Sequence, residues 1–190
     1  MKKFFALSLF LAFSAVVLAQ VEVTKFLGIP VDGTKKEMIS KLKDKGFTDF
    51  YGTDMLEGEF NGKNVYVFVQ TNNRKVWRIG LVDQVSCDET QIKINFNNLC
   101  RQFEENSKYI GFVDQTIPGD EDISYEMSVN SKRYEAVFYQ KSPNVEFSED
   151  KGLSNRIVWF MINEAPNSYG DYVINMYYEN GYNQANGEDL

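Results

Sequence analysis

The chain has 190 residues, of which 27 are acidic and 20 basic, so that its formal net charge is −7 at pH 7. It carries no block of basic residues, which argues against nucleic acids and anionic lipid surfaces as partners. It contains no histidine, which excludes Ser-His and Cys-His nucleophilic arrangements and removes the commonest zinc ligand. We therefore expect no cofactor or metal ion, and we predict that the protein is not an enzyme.

The first nineteen residues have the pattern of a secretory signal peptide. Lys2 and Lys3 precede a largely apolar run from Phe4 to Leu18, and Val17 and Ala19 provide the small residues that a signal peptidase requires. This pattern predicts cleavage after Ala19. The run is shorter than the roughly 20 apolar residues that span a bilayer. We therefore expect a periplasmic or secreted mature chain without a membrane span.

The first unit is predicted to cover residues 20–86. Thr34 and Glu37 have the spacing of a capping box, which predicts a helix over about 35–45 that ends at Gly46. Alternating apolar residues then surround the turn Asn61-Gly62, which is typical of a β-hairpin. A second turn at Asn72-Asn73 leads into a further strand, so we predict a three-stranded antiparallel meander.

The second unit is predicted to cover residues 87–179. Apolar residues at helical spacing predict a helix over about 88–106. Strands are then expected at about 123–129, 132–140, 155–163 and 171–179, and residues 180–190 are expected to form a loosely held polar tail. Both units contain a strand with a Val-Trp pair, at 76–77 and 158–159, which favours a degenerate internal repeat. The predicted fold is α+β, with one antiparallel sheet built from two helix-plus-meander units and both helices packed on one face.

Two cysteines, Cys87 and Cys100, could form a disulfide in an oxidising compartment. If the second helix begins at residue 88, however, it separates the two Cα atoms by about 18 Å, whereas a disulfide tolerates about 7 Å. We therefore expect no disulfide, and a pairing would require the helix to begin later in the chain.

Acidic residues offer the remaining candidates for chemistry. Glu57 and Glu59 lie two apart on a predicted strand and so face the same side, and a carboxylate pair is what glycoside hydrolysis needs. A glycosidase normally places its two carboxylates across a cleft, so we interpret this pair, and likewise Glu126 and Glu135, as solvated side chains. The acidic run 120–122 lacks the glycine and glutamate of the helix-loop-helix calcium pattern, and we interpret it as a turn.

Aromatic residues make up 15% of the chain, and many fall on predicted strands whose two faces are both apolar. Since one helix layer covers only one face of a sheet, some of these residues should form a partly exposed platform. The candidate binding residues are Tyr66, Phe68, Trp77, Tyr139 and Trp159. The predicted function is to bind another macromolecule, an envelope or extracellular protein, through this face. The alternatives are a carbohydrate-binding protein or a carboxylate-dependent glycan hydrolase, and self-association through the same face.

Residues 26–34, with the sequence Phe-Leu-Gly-Ile-Pro-Val-Asp-Gly-Thr, and the closing run from Tyr177 resemble uncharacterised secreted proteins of the Bacteroidetes. This resemblance implies export and no particular activity. The tandem helix-plus-meander layout is also similar to the beta-lactamase-inhibitor-protein fold and its small envelope-assembly relatives. The chain lacks the disulfide pattern of the inhibitors and the lipid-anchoring cysteine of the assembly lipoproteins, so this second likeness implies an architecture only.

Overall fold

A computed structural model describes residues 21–166 and 168–185 of the chain. The predicted signal peptide with its cleavage site after Ala19, and the last five residues, lie outside the described residues. Within them the chain forms three α-helices, a two-stranded sheet and an eight-stranded antiparallel sheet. The predicted α+β class is therefore confirmed.

The first unit contains one helix and six strands. A short hairpin of β1 (Lys25–Phe26) and β2 (Ile29–Pro30) precedes α1 (Lys35–Asp44), and the capping box at its start is formed as predicted, with the Thr34 side chain accepting from the Glu37 N–H. The helix is followed by β3 (Thr48–Asp49), β4 (Leu56–Phe60), β5 (Lys63–Asn72) and β6 (Lys75–Asp83). The meander thus has four strands, one more than predicted, because the two-residue β3 adds to its edge.

The second unit begins with α2 (Glu89–Glu105), whose first turn is capped by the Asp88 side chain. It continues with β7 (Tyr109–Ile110), α3 (Ile123–Asn130), β8 (Glu135–Gln140), β9 (Arg156–Glu164) and β10 (Tyr172–Asn180). The predicted strand over 123–129 was wrong, since these residues form α3. The Asp122 side chain accepts from the Tyr125 N–H, and Ser131 at φ 54° ends the helix, so local capping outweighs the alternating pattern.

The large sheet has the strand order β3-β4-β5-β6-β10-β9-β8-β7. Each unit contributes four consecutive strands, and the two units join through their last strands, β6 and β10, which pair antiparallel with Met176 opposite Leu81. The sheet is therefore continuous, and β10 lies near its centre.

Both long helices pack on one face of this sheet, as predicted. Met38 and Leu42 of α1 are fully buried, and α1 contacts β5 and β6. On α2, the ring of Phe96 lies 5.0 Å from that of Phe160 on β9, measured between centroids. Each such side chain contributes roughly 1.5–3 kcal/mol by its burial, so this helix-covered face holds the main core.

The start of the expected polar tail is more firmly held than predicted. Asn180 is buried and donates from Nδ2 to the Val31 carbonyl over 2.8 Å. Asn183 donates from Nδ2 to Asp32 Oδ1 and to the Val76 carbonyl, each over 2.8 Å. Polar residues here satisfy backbone and side-chain groups of the first unit, and the expectation of a loose segment was wrong for residues 180–183.

Candidate binding face

The face of the sheet opposite α1 and α2, which we call the open face, carries all five aromatic residues predicted as binding residues. Strand register fixes the placement of four of them, since paired residues point to the same side. Tyr66 lies opposite Val82, Phe68 opposite Gly80, Tyr139 opposite Ile157 and Trp159 opposite Tyr177. The fifth, Trp77, is the extra residue of a β-bulge and lies beside Arg78. All five side chains are half-buried. The structure therefore places the residues that the sequence nominated on one face of the sheet.

The aromatic rings of the open face form a layer that covers the strands beneath them. A Cβ added at Gly80 would lie 2.0 Å from Cζ of Phe68, so the absence of a side chain at Gly80 lets the Phe68 ring lie on the backbone. The Trp159 and Tyr177 rings stack with centroids 4.3 Å apart and an interplanar angle of 25°, and Phe68 meets Tyr177 edge-on at 6.2 Å. This mutual packing explains why the rings are half-buried although no helix covers them.

Arg78 lies in the middle of this layer, beside a β-bulge that β6 forms against Gln70 and Thr71 of β5. Its guanidinium carbon is 4.1 Å from the ring centroid of Trp77, 5.0 Å from that of Tyr177 and 5.8 Å from that of Trp159. These distances are those of cation–π contacts. The open face is therefore aromatic with a single guanidinium among its rings.

The carboxylate of Glu179 pairs with Arg78 and neutralises its charge. This carboxylate accepts from Arg78 Nη2 over 2.6 Å and from Trp159 Nε1 over 2.6 Å, and the Glu179 side chain is only 6% exposed. Sequence reasoning overlooked Arg78, Tyr177 and Glu179 as members of the site. Alternation along β10 could have placed Tyr177 and Glu179 together on one face, whereas their position beside Arg78 depends on the pairing of β6 with β10.

Two buried side-chain atoms lack a hydrogen-bond partner among the described residues, and both belong to open-face residues: Nε of Arg78 and Oδ1 of Asn175. Buried polar atoms are nearly always hydrogen-bonded in proteins. The centre of the open face therefore has unused hydrogen-bonding capacity.

The edges of the open face carry further aromatic and acidic groups. Phe50 packs on Tyr66 with centroids 4.6 Å apart, and Phe112, which is 62% exposed, packs on Tyr139 at 5.5 Å. At the β4 edge, Glu57 and Glu59 form no ion pair with a described residue. The face is therefore apolar at its centre and acidic along one side.

The other acidic candidates lie apart from one another. Glu135 pairs with Arg133 at 3.2 Å, and Glu126 of α3 accepts from Asn130. The acidic run 120–122 serves local structure, since Asp122 caps α3 and Glu121 accepts from Lys132 and Tyr134.

These hydrogen bonds from Lys132 and Tyr134 lower the pKa of Glu121. In the described part of the chain, no three His, Cys, Asp or Glu residues lie close enough to hold a metal ion. Over the same residues, no helix has the length and apolar character needed to cross a membrane.

Both cysteine thiols are free in the structure. Cys87 forms an isolated β-bridge with Tyr172 just before α2, whereas Cys100 is buried on the inner side of that helix. Burial raises the pKa of the Cys100 thiol to about 12 and also raises that of Cys87. A buried, protonated thiol is poorly suited to nucleophilic chemistry.

The open face thus differs from an ordinary solvated surface in the number of aromatic side chains that it carries.

No protein-family model, no curated protein and no solved structure matches the chain significantly.

Proposed function

We propose that this is an exported, non-enzymatic protein that binds another protein through the open face of its sheet. The observation that carries the proposal is a layer of half-exposed aromatic rings on a sheet face that none of the described helices covers. Large surfaces of this kind, with Trp, Tyr and Arg at the centre, are typical of protein interfaces.

The dimensions of the open face support a protein partner. Strands lie about 4.8 Å apart and rise about 3.3 Å per residue, so β4, β5, β6, β10, β9 and β8 together present roughly 750 Å². A stable protein interface buries about 800 Å² on each partner. A bound sugar ring would use only the space above one or two of the aromatic side chains.

The negative charge of the chain and of the open-face border indicates which kind of partner surface would be complementary. The unpaired Glu57 and Glu59 border the aromatic centre, and the whole chain has a net charge of −7. Complementary charges across an interface speed encounter and exclude wrong partners. We therefore expect the partner to present a flat apolar patch with lysine or arginine at its rim.

Photo-crosslinking in living cells tests this proposal. A photoreactive phenylalanine analogue replaces Tyr66 on the open face in one strain, and in the control strain it replaces Ile94, which is 48% exposed on α2. We expect crosslinks from position 66 to one recurrent protein and none to that protein from position 94.

A second variant links the crosslink to the aromatic centre. Trp77→Ala should abolish the crosslink from position 66 while circular dichroism shows an unchanged fold, and Glu57→Lys should weaken it by charge repulsion from a basic rim. Equal crosslinking from positions 66 and 94 would contradict the proposal. A product with twice the mass of the chain, or crosslinks to polysaccharide alone, would replace it with self-association or glycan binding.

A further inference from the structure

A second candidate site lies on the other side of the sheet, away from the open face. A cavity of about 940 Å³ opens between α2, the β1–β2 hairpin and the loop that follows β8. A neighbouring cavity of about 150 Å³ shares Phe60, Leu99 and Met176 with it. We call the two together the α2 cavity. Its size suits a small molecule. Among the open-face residues described above, Glu59 is the one that also lines this cavity, so the inference rests on different observations from the proposed function.

The inner walls of the α2 cavity are apolar. Met176 and Tyr178 of β10 lie at its floor, and Leu99 and Phe103 of α2 form one wall. The smaller cavity adjoins this wall at Leu99, and its lining combines Leu81 and Ile174 with polar residues such as Lys63 and Asp83. The apolar walls of the larger cavity favour a hydrocarbon group as its occupant.

The mouth of the α2 cavity exposes large apolar side chains. Leu27, Val145 and Phe147 line it with exposed fractions of 40%, 42% and 46%. Leu27 also adopts a positive φ of 50° in the two-residue hairpin turn, followed by Gly28 at φ 81°. Asn-Gly is the usual pair in such a turn, and leucine is disfavoured there. The chain thus keeps a strained apolar residue at the mouth, as functional sites often do.

At one end of the α2 cavity, the hydroxyl groups of Tyr109 and Tyr178 have a proton that no described residue accepts. The Gln140 amide is oriented by the Lys25 backbone, with Oε1 accepting over 2.7 Å and Nε2 donating over 3.1 Å. Its Nε2 also donates to the Tyr109 hydroxyl over 3.3 Å. The adjoining Tyr178 hydroxyl is buried, and this burial, together with Tyr109, raises its pKa. The two hydroxyls have no other acceptor among the described residues, so at least one of their protons remains to be donated.

Lysines surround the same end. Lys25, Lys108 and Lys141 line the α2 cavity together with Glu22 and Glu59. Glu22 is used by Lys25, at 3.7 Å, whereas Lys108 and Lys141 form no ion pair with a described carboxylate. Glu59 also forms no ion pair with a described residue, so the three lysines of the lining exceed its two carboxylates by one charge. This excess of positive charge, at the end where a hydroxyl proton is spare, favours an anionic acceptor.

We propose that the α2 cavity binds a long-chain carboxylate, with the hydrocarbon chain against Leu99 and Met176 and the carboxylate near Tyr109, Lys108 and Lys141. The apolar walls favour the hydrocarbon chain, and the lysines together with the spare hydroxyl proton favour the carboxylate head group. Leu27 covers the chain at the mouth.

Fluorescence titration with cis-parinaric acid tests the site, with its methyl ester as the uncharged comparison. We expect the mature chain to bind the acid saturably at one site and more tightly than the ester. Replacing Lys108 and Lys141 together by glutamine should weaken binding of the acid by about tenfold, as expected for two partly screened charges, and leave the ester unaffected. Tyr109→Phe should also weaken binding of the acid more than it weakens binding of the ester.

Leu27→Asn separates binding from folding. Asparagine tolerates the left-handed conformation, so the urea midpoint should stay the same or rise while the affinity for both probes falls. Trp159→Ala on the open face and Lys43→Gln on α1 are the controls, and neither should change binding. Failure of the unmodified chain to bind the acid saturably, equal affinity for acid and ester, or loss of binding in Trp159→Ala would each overturn the proposal.

Discussion

The buried ion pair between Asp150 and Arg156 gives the sharpest test of the structure. The two side chains are only 5% and 3% exposed. Arg156 also donates from Nε to the Gln140 carbonyl over 2.8 Å and from Nη1 to the Glu22 carbonyl over 3.5 Å. The pair therefore connects the loop before β9 with β8 and with the start of the described chain.

Replacing Asp150 by asparagine removes the one carboxylate among the described residues that pairs with the Arg156 guanidinium. Arginine does not lose its proton in proteins, so the charge remains buried without a counter-ion. Breaking a buried pair in this way costs about 3–5 kcal/mol of the free energy of unfolding. We expect this loss at pH 7 in urea denaturation followed by the fluorescence of the two tryptophans.

The same pair predicts how the loss depends on pH. Burial by itself raises the pKa of Asp150, but hydrogen bonds from Arg156 and from the Ser142 backbone outweigh it, and the pKa is lowered overall. The stabilisation is therefore fully present above the unfolded pKa of about 3.9 and is lost as the pH falls through the lower folded value. The stability difference between the wild-type chain and Asp150→Asn should shrink over this range.

Asp49→Asn is the matched control, because Asp49 pairs with Lys43 at 2.7 Å but its side chain is 68% exposed. It should leave the urea midpoint unchanged, since exposed pairs contribute little. A loss below about 1 kcal/mol for Asp150→Asn at pH 7, or a difference from the wild-type chain that stays constant down to the lowest pH at which both remain folded, would refute the reasoning.

Two further substitutions and one labelling experiment test other parts of the structure. Gly80→Ala should cost about 1–3 kcal/mol because the new methyl group displaces the Phe68 ring; urea denaturation should show a smaller cost in a Phe68→Ala background, and equal costs would contradict the contact. Cys100 should resist iodoacetamide at pH 8 in the folded chain and react in urea, as read by mass spectrometry, because burial raises its pKa to about 12; rapid reaction of the folded chain would show that the thiol is accessible. Thr34→Ala should cost about 1 kcal/mol through loss of the capping box with Glu37, and an unchanged urea midpoint would show that this cap contributes nothing.

Elements defined by short-range chemistry were predictable from the sequence. The capping box at Thr34 located the start of α1, and the Asn61-Gly62 turn located the hairpin of β4 and β5, because both depend on residues adjacent in the chain. Alternation along a strand also accounts for four of the five aromatic residues of the open face. Trp77 is the exception, since it faces the same side as Arg78 because of the β-bulge opposite Gln70. Where the prediction succeeded, the information lies within a few residues.

Elements that depend on distant residues were not predictable in the same way. Residues 123–129 alternate like a strand, but both sides of the following strand β8 are already paired, with β7 and with β9. The firm hold on Asn183 comes from Asp32 and Val76, far away in the sequence.

The Val-Trp pairs that suggested a repeat fall on β6 and β9. β6 is the fourth strand that its unit contributes to the large sheet, whereas β9 is the third strand from the other unit. Each unit adds four strands to this sheet after a long helix, but the two Val-Trp pairs are not at equivalent positions.

The central place of β10 has a consequence for how the chain reaches its folded state. β10 is the last strand to leave the ribosome, yet β6 and β9 both need it as a neighbour. Until residues 172–180 are synthesised, each unit has an unpaired edge strand and the two halves cannot join. The joining of the two units is therefore a late step, and it requires the facing edges of β6 and β9 to remain accessible until then.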